Sequence, residues 1–132
     1  MGSASAWEEG AVIAPLREIS EPTRLLSRYI ADALNRPLPP AVMGKARQHI
    51  LDTIAAMISG TRLRPGRLAI DYVATLGGAR QSSVVGTRLL TCSVHDALAN
   101  GMLAHADETD DSHAPSRNHP GCAVIPLSLI HI

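Results

Sequence analysis

The chain has 132 residues, of which 45% are apolar and only 2% aromatic, with no Phe. Twelve basic residues balance twelve acidic ones, so the chain lacks the basic excess typical of nucleic-acid-binding proteins, and its apolar content is too high for global disorder. A core of Leu, Ile, Val, Ala and Met favours packed helices, since strands prefer aromatic and β-branched residues. The composition therefore predicts an all-α, mainly helical fold.

The N-terminal half of the chain predicts a lead-in and two helices. Residues 1–19 are small, acidic or irregular, and we interpret them as a flexible N-terminal lead-in. A first helix is predicted after Ser20, which can cap it, with Pro22 in its first turn. A second helix is predicted over about 40–59, ending at Gly60. Its apolar residues recur at helical spacing and predict one face, made of Val42, Ala46, Ile50, Ile54, Met57 and Ile58.

The next segment predicts a helix, a hairpin and a further helix. A third helix is predicted over about 66–76, before two glycines. Residues 82–87 carry the only strand signal, and with 89–90 they predict at most a short β-hairpin. A fourth helix is predicted over about 93–105, with an inward face made of Val94, Ala97, Leu98, Met102 and Leu103. A polar loop follows, and Pro120 is predicted to open a last helix.

The cysteine usage and the lack of a recognisable targeting signal lead us to expect a cytoplasmic protein. Cys92 and Cys122 form neither a disulfide framework nor a CxxC pair, so they are interpreted as reduced thiols. The first residues do not resemble a signal peptide, and no apolar run approaches the length of a membrane span. We therefore expect neither a membrane nor a nucleic acid as a partner.

The loop after the fourth helix carries most of the chemistry-bearing side chains. Residues 105–121 hold four of the twelve acidic residues and three of the six histidines, and no Lys or Arg occurs from 89 to 116. Three interpretations remain open on the pattern alone. The loop is a solvated acidic segment, a divalent metal site of His and carboxylate ligands, or an acid/base site in which Asp110 and Asp111 shift each other's pKa.

A longer motif brings these residues into a known pattern. The run from Asp96 to His105, with Asn100-Gly101 at its centre, is followed by Asp110-Asp111-Ser112-His113 and then His119-Pro120-Gly121. It resembles the MmgE/PrpD family, whose pattern is roughly A-x-x-N-G-x-x-x-H-x-x-D-x-D-D-T, a short loop, then H-P. The similarity covers most of residues 20–126. Family members include 2-methylcitrate dehydratase and cis-aconitate decarboxylase.

The resemblance implies specific site residues. The family's first acid, its Thr and its H-P histidine fall on Glu108, Ser112 and His119, which are the expected catalytic residues. Glu stands where the family has Asp, and Ser where it has Thr. Asp110, Asp111 and His113 are expected to bind substrate or support the site, although the two acids also suit helix-end caps. The resemblance implies no metal ligand, no iron–sulfur cluster and no other cofactor.

The resemblance also predicts the organisation of the chain. Residues 20–126 match the first part of the family's helical N-terminal domain, so the chain is expected to be a fragment of a longer, usually homodimeric lyase. Residues 127–132 are a candidate non-native tail, because CTGTCTCTTATACACATC, which reads like a transposon-end sequencing adapter, encodes this hexapeptide. The expected reaction is dehydration of a 2-methylcitrate-like acid or decarboxylation of a cis-aconitate-like acid, with the isolated chain inactive.

The alternative function comes from a different class. A non-catalytic helical module could use the same acidic, histidine-containing loop to bind a divalent metal or a partner protein. Tight stoichiometric binding of Mn²⁺ or Zn²⁺ in calorimetry would favour this alternative over the lyase.

Overall fold

The computed structural model describes residues 19–130, and its regular elements are five helices and one short hairpin. The predicted fold class is therefore confirmed. The predicted lead-in lies outside the described residues except for Ile19, as do residues 131 and 132 of the predicted tail. The elements are α1 (Glu21–Ala33), α2 (Pro40–Gly60), α3 (Arg64–Leu76), β1 (Ser82–Ser83), β2 (Leu90–Thr91), α4 (Ser93–Ala104) and α5 (Gly121–Leu129).

Helix α1 belongs to a first compact unit, which ends at Leu38. The Ser20 hydroxyl accepts a hydrogen bond from the Thr23 backbone N–H at 3.4 Å, and a proline occupies the first turn. The predicted N-cap is therefore confirmed. The apolar side of α1 is more than half exposed, at Leu25, Leu26, Tyr29 and Ile30.

The second unit begins at Pro39 and is built around α4. This helix contacts α2, α3, α5 and both strands. The enclosed core is aliphatic, as the composition predicts, and consists of Met57, Val73, Val84, Ala99, Leu103 and Ala104. The polar loop begins directly after α4, at His105, and ends directly before α5, at Pro120. The packing of α5 against α4 therefore fixes both ends of the loop.

Two glycines let the helices around α4 approach closely. A Cβ on Gly60 would lie 2.1 Å from the Leu103 carbonyl oxygen, and one on Gly66 would lie 2.1 Å from the Gly60 carbonyl oxygen. Neither distance leaves room for a methyl group. The chain therefore needs glycine where α2, α3 and α4 meet.

The short hairpin is anchored to α4 by one buried asparagine. Ser82 pairs with Thr91 and Ser83 with Leu90 in antiparallel register. The Asn100 side-chain oxygen accepts a hydrogen bond from the Val85 N–H at 2.9 Å. The Asn100 amide nitrogen donates to the Asp96 carboxylate at 2.9 Å. The asparagine of the N-G motif thus has a structural explanation.

The predicted inward face of α4 is wrong at Val94, Leu98 and Met102, whereas Leu103 is buried and Ala97 half-buried. Its buried residues are instead Asp96, Ala99, Asn100, Leu103 and Ala104. Small and polar side chains face the core because the neighbouring helices come close and because the two polar residues satisfy each other. The larger residues Val94, Leu98 and Met102 are 71%, 45% and 42% exposed and line an open apolar groove between α4 and α5.

The predicted face of α2 is only partly buried. Met57 is fully buried, whereas Ile50 and Ile58 are 39% and 50% exposed. The buried residues of α2 lie in its C-terminal half, where it meets α4. None of the helices in residues 19–130 combines the length and apolar character needed to cross a bilayer.

Candidate active site

The polar loop between α4 and α5 folds back on itself. The His113 N–H donates to the Asn118 carbonyl at 2.9 Å, which forms an isolated antiparallel bridge. The His113 Nδ1 also lies 2.6 Å from the Ser116 hydroxyl. These bonds close the tip of the loop, residues 114–117, so that its two arms run side by side.

Asp107 fixes the start of the loop to the end of α2. The Thr109 hydroxyl donates to Asp107 Oδ1 at 2.6 Å, and the Ser59 hydroxyl donates to Asp107 Oδ2 at 3.3 Å. These donors favour the charged carboxylate, so the Thr109 bond and, more weakly, the Ser59 bond lower the pKa of Asp107. The first arm of the loop is therefore held in place by side-chain bonds.

Asp110 is buried between two histidines. Its side chain has no exposed surface, and its Oδ1 lies 3.4 Å from His105 Nδ1 and 3.2 Å from His119 Nδ1. The two imidazole rings meet edge to face, with centroids 5.2 Å apart. The loop thus joins the C-terminal end of α4 to the residue before α5 through one carboxylate.

Two polar atoms of this cluster lack a hydrogen-bond partner among the described residues. They are Asp110 Oδ2 and His119 Nδ1, both buried. The His119 contact with Asp110 is short enough for an ion pair but is not aligned as a hydrogen bond. Burying a carboxylate oxygen without a hydrogen-bond donor lowers stability, and Asp110 Oδ2 can still accept a hydrogen bond.

Asp111 has a different role from its neighbour. Its Oδ1 accepts a hydrogen bond from the Gly121 N–H at 2.7 Å, which places a negative charge at the N-terminal end of α5. A Cβ on Gly121 would lie 2.2 Å from that oxygen and 2.7 Å from the Thr53 hydroxyl. Of the two adjacent acids, Asp111 is therefore the helix-end cap, and it already occupies the Gly121 N–H that an anionic substrate could use.

Cys122 borders the cluster from the first turn of α5. Its thiol donates to the His119 carbonyl at 3.0 Å. Burial raises the pKa of the Cys122 thiol, and the charge of Asp110 raises it further. The side chain is therefore held as a neutral thiol rather than a thiolate nucleophile.

A comparison with models of protein families shows which family the chain belongs to. Residues 24–129 match the model of the MmgE/PrpD N-terminal domain. This chain belongs to the MmgE/PrpD family. The match spans most of the chain and contains the whole loop. No curated protein sequence and no solved structure matches the chain.

The structure brings together some of the residues predicted from the MmgE/PrpD pattern. His119 and Asp110 are in contact, and Asp111 meets the start of α5. His113 instead organises the exposed tip of the loop. Glu108 and Ser112 are exposed, and no hydrogen bond or ion pair within residues 19–130 joins either side chain to His119. Their catalytic roles remain predictions.

Glu108 adopts a backbone conformation that is unusual for its residue type. Its φ of 55° lies in the left-handed region, which Asp and Asn tolerate better than Glu. The MmgE/PrpD pattern has Asp at this position, so the substitution lengthens the side chain at a point where the backbone favours a short one. The change alters the reach of the carboxylate.

Sequence analysis missed the participation of His105. It was not among the predicted site residues, but the structure places it against Asp110. The signal was present, because the family pattern itself has a histidine at this position. Periodicity could not reveal the contact, since it depends on the loop folding back through space.

Proposed function

We propose that this chain supplies one wall of the active site of a lyase that acts on a small carboxylic acid. The substrate would be a 2-methylcitrate-like acid that loses water or a cis-aconitate-like acid that loses carbon dioxide. Family membership supports the lyase class. The observation that carries the proposal is the contact between His119 and the buried carboxylate of Asp110, next to the start of α5.

His119 is the proposed proton-transfer group. Its Nδ1 faces Asp110 at 3.2 Å, and its side chain is 30% exposed. Because Nδ1 is directed at the carboxylate, Nε2 is the nitrogen left for a substrate. Imidazole can both accept and donate a proton near neutral pH, which suits removal of a proton next to a carboxylate.

Asp110 is the proposed positioning residue for His119. A carboxylate at Nδ1 favours the tautomer or charge state in which that nitrogen carries hydrogen. Its side chain is completely buried, which keeps water from that side of the contact. Asp110 acts on the substrate only through the histidine.

The remaining steps require groups on the other side of the substrate. In dehydration, a base takes the proton beside the carboxylate, the C–O bond breaks, and an acid protonates the departing hydroxide. In decarboxylation, the C–C bond breaks, carbon dioxide leaves, and an acid protonates the resulting carbanion. Glu108 and Ser112 are proposed to face the substrate from this loop. Cationic groups from elsewhere in the full-length enzyme would hold the substrate carboxylates.

The test is replacement of His119 in the full-length enzyme that contains this domain. We expect His119→Gln to lower kcat by about 100-fold or more, the scale of a lost general acid or base, with an unchanged melting temperature. His49→Gln is the matched control, because His49 is an exposed histidine on α2 far along the chain from the loop. Near-normal kcat in His119→Gln, or an equal loss in the control, would contradict the proposal.

A further inference from the structure

His105 contacts Asp110 but has no role in the function proposed so far. It directly follows the last residue of α4, and its Nδ1 lies 3.4 Å from Asp110 Oδ1 in hydrogen-bonding geometry. We propose that His105 is a second positioning residue of the lyase site, which holds the Asp110 carboxylate against His119. The inference rests on the proposed function, because it assigns His105 to the same reaction.

The orientation of the Asp110 carboxylate points to this role. Its Oδ1 lies between the two imidazole rings, 3.4 Å from His105 Nδ1 and 3.2 Å from His119 Nδ1. Of these two contacts, the one with His105 has the alignment of a hydrogen bond. Asp110 Oδ2 has no hydrogen-bond partner among the described residues, so no donor on that side turns the group. The bond from His105 therefore orients the carboxylate.

His105 is well placed to restrain a group in the loop. Its backbone N–H donates to the Gly101 carbonyl at 3.2 Å, which continues the hydrogen bonding of α4 by one residue. Asp110 lies five residues further on, within the loop, and His119 lies before α5. A donor attached to the central helix can hold the loop carboxylate in one orientation, as a proton-transfer site requires of its supporting groups.

The rings of His105 and His119 also contact each other. They meet edge to face, with centroids 5.2 Å apart and planes at 61°. This contact limits the tilt of the His119 ring on one side. The imidazole of His105 thus contributes both a donor to the carboxylate and a surface to the neighbouring ring, and substitutions can separate the two contributions.

The other neighbours of Asp110 do not supply an equivalent donor. No Lys or Arg occurs from 89 to 116, and the ion-pair partners of Asp110 within residues 19–130 are the two histidines. The Cys122 thiol borders the carboxylate but donates to the His119 carbonyl. His105 is therefore the group that can fix the carboxylate while His119 exchanges a proton with the substrate.

Two substitutions in the full-length enzyme that contains this domain separate the donor from the ring. His105→Leu removes the donor, whereas His105→Asn keeps an N–H donor close to the position of Nδ1. We expect His105→Leu to lower kcat by about 10-fold or more with KM within about 2-fold, because a misplaced His119 slows proton transfer in a substrate that other groups still bind. His105→Asn should restore most of this loss.

The controls distinguish positioning from stability. His49→Leu is matched to His105→Leu, because His49 is an exposed histidine on α2, and it should keep the parent's kcat. Melting temperatures show that each variant is folded, and His105→Ala serves if His105→Leu does not fold. Near-normal kcat in the variants without the donor, equal losses in His105→Leu and His105→Asn, or a loss in the control would overturn the proposal.

The hydrogen on the His119 ring gives a readout that does not depend on turnover. Nitrogen NMR of the same proteins, made with isotopically labelled histidine, shows which ring nitrogen carries hydrogen, and His119→Gln identifies the signals of His119. We expect hydrogen on Nδ1 in the parent and in His105→Asn, and a smaller share of that form in His105→Leu. An unchanged His119 signal in His105→Leu would also overturn the proposal.

The two proposals fail in different ways. If His119→Gln loses activity while His105→Leu keeps it, only the role of His105 is wrong. If His119→Gln keeps near-normal kcat, the proposed function is wrong, and the role of His105 in that reaction is wrong with it.

Discussion

At the scale of single residues, the contact between Gly121 and Asp111 decides how α5 begins. The glycine leaves room for the carboxylate that accepts its N–H, and Thr53 fills the other side. Any side chain at position 121 must displace one of these groups. The capping hydrogen bond and the close approach of α5 to α2 therefore depend on the same missing methyl group.

We expect Gly121→Ala to lower the free energy of unfolding by roughly 1–3 kcal/mol, the scale of a lost buried hydrogen bond plus a local clash. Gly44→Ala is the control, because a Cβ there has no neighbour within 4 Å and the site is exposed in α2. That substitution should stabilise the helix by about 0.5–1 kcal/mol. Urea denaturation of the full-length protein that contains this domain, followed by circular dichroism, measures both, because the isolated chain is not expected to unfold in one cooperative step.

A double-mutant cycle separates the clash from a general loss of packing. If the carboxylate of Asp111 is the obstacle, Gly121→Ala should cost less in an Asp111→Ala background than in the parent. Equal costs in both backgrounds would show that Asp111 does not limit the space at Gly121.

A second residue-scale effect concerns the buried carboxyl of Asp96. Burial raises its pKa above the ordinary value, and the hydrogen bond from Asn100 offsets only part of this shift. The folded state therefore holds the proton more tightly than the unfolded state. Its contribution to stability is complete below the unfolded pKa of about 4 and is lost as the pH rises through the higher folded pKa.

We expect the difference in unfolding free energy between Asp96→Asn and the parent to favour the variant more at neutral pH than at about pH 4. The asparagine oxygen can still accept from Asn100, so the change removes mainly the charge. Chemical denaturation of parent and variant in the full-length protein, at both pH values, gives the difference. An equal effect at the two pH values would mean that Asp96 is not protonated more readily in the folded chain.

At the scale of elements, the helix boundaries follow from local signals in the sequence. The Ser20 cap, the prolines that begin α1 and α2, and the glycines after α3 each act within one turn of the chain. Such signals can be seen without knowing the tertiary structure. The predicted 66–76 and 93–105 helices accordingly differ from α3 and α4 by only one or two residues.

The faces of the helices could not be predicted in the same way. Apolar periodicity favoured Val94, Leu98 and Met102 on α4, but the buried side carries Asp96 and Asn100 instead. A pattern of hydrophobicity does not reveal that two polar side chains will satisfy each other. Nor does it show that glycines on α2 and α3 will bring small residues of α4 into the core.

The candidate site was predictable only in part for a related reason. The motif located the loop and pointed to His119, since its residues are consecutive or nearly so. The pairing of Asp110 with His105 and the separate capping role of Asp111 depend on the path of the loop in space. Adjacent, chemically identical acids cannot be assigned different roles from their order in the chain.

Asn100 is the element-scale link whose loss should be most informative. Asn100→Ala removes the acceptor of the Val85 N–H and the donor to Asp96, both buried or half-buried. We expect a loss of about 1–3 kcal/mol in unfolding free energy. Hydrogen exchange at the Val85 amide should accelerate more than exchange in the centre of α4.

The exposed Asn35, at the end of the first unit, gives the control Asn35→Ala, which should change neither quantity. Unchanged exchange at Val85 in Asn100→Ala would show that the hairpin is held by its own turn rather than by α4.

At the scale of the whole molecule, much apolar surface faces solvent. Several large apolar side chains are more than half exposed, namely Leu51, Leu68, Val94 and Leu127. The groove between α4 and α5 has a volume of about 430 Å³ and a mostly apolar lining. Exposed patches of this kind mark surfaces that bind other protein or destabilise a chain on its own.

We therefore expect the isolated chain to show helical circular dichroism, to bind a dye specific for apolar surface, and to melt over a broad temperature range. Differential scanning calorimetry of the monomer, with its size checked by light scattering, provides the measurement. A sharp two-state transition without dye binding would mean that the described core is sufficient by itself.

We also expect the isolated chain to have no lyase activity. Proton transfer needs groups within hydrogen-bond reach on both sides of the substrate, and the proposed site contributes one wall. Incubation with 2-methylcitrate or cis-aconitate, followed by chromatography of the products, tests this. Sustained turnover that requires His119 would show that the loop and its neighbours suffice for catalysis.

The hydrogen bonds that hold the loop make the arrangement of His105, Asp110 and His119 independent of the length of the loop tip. Asp107 is held by Ser59, Asp111 by Gly121, and the bridge from His113 to Asn118 closes the strandlike arms before the tip begins. Residues 114–117 lie beyond these ties and are exposed. Insertions or deletions there should leave Asp110 between its histidines, so the tip is free to diverge in evolution, and a reporter peptide could be grafted into it.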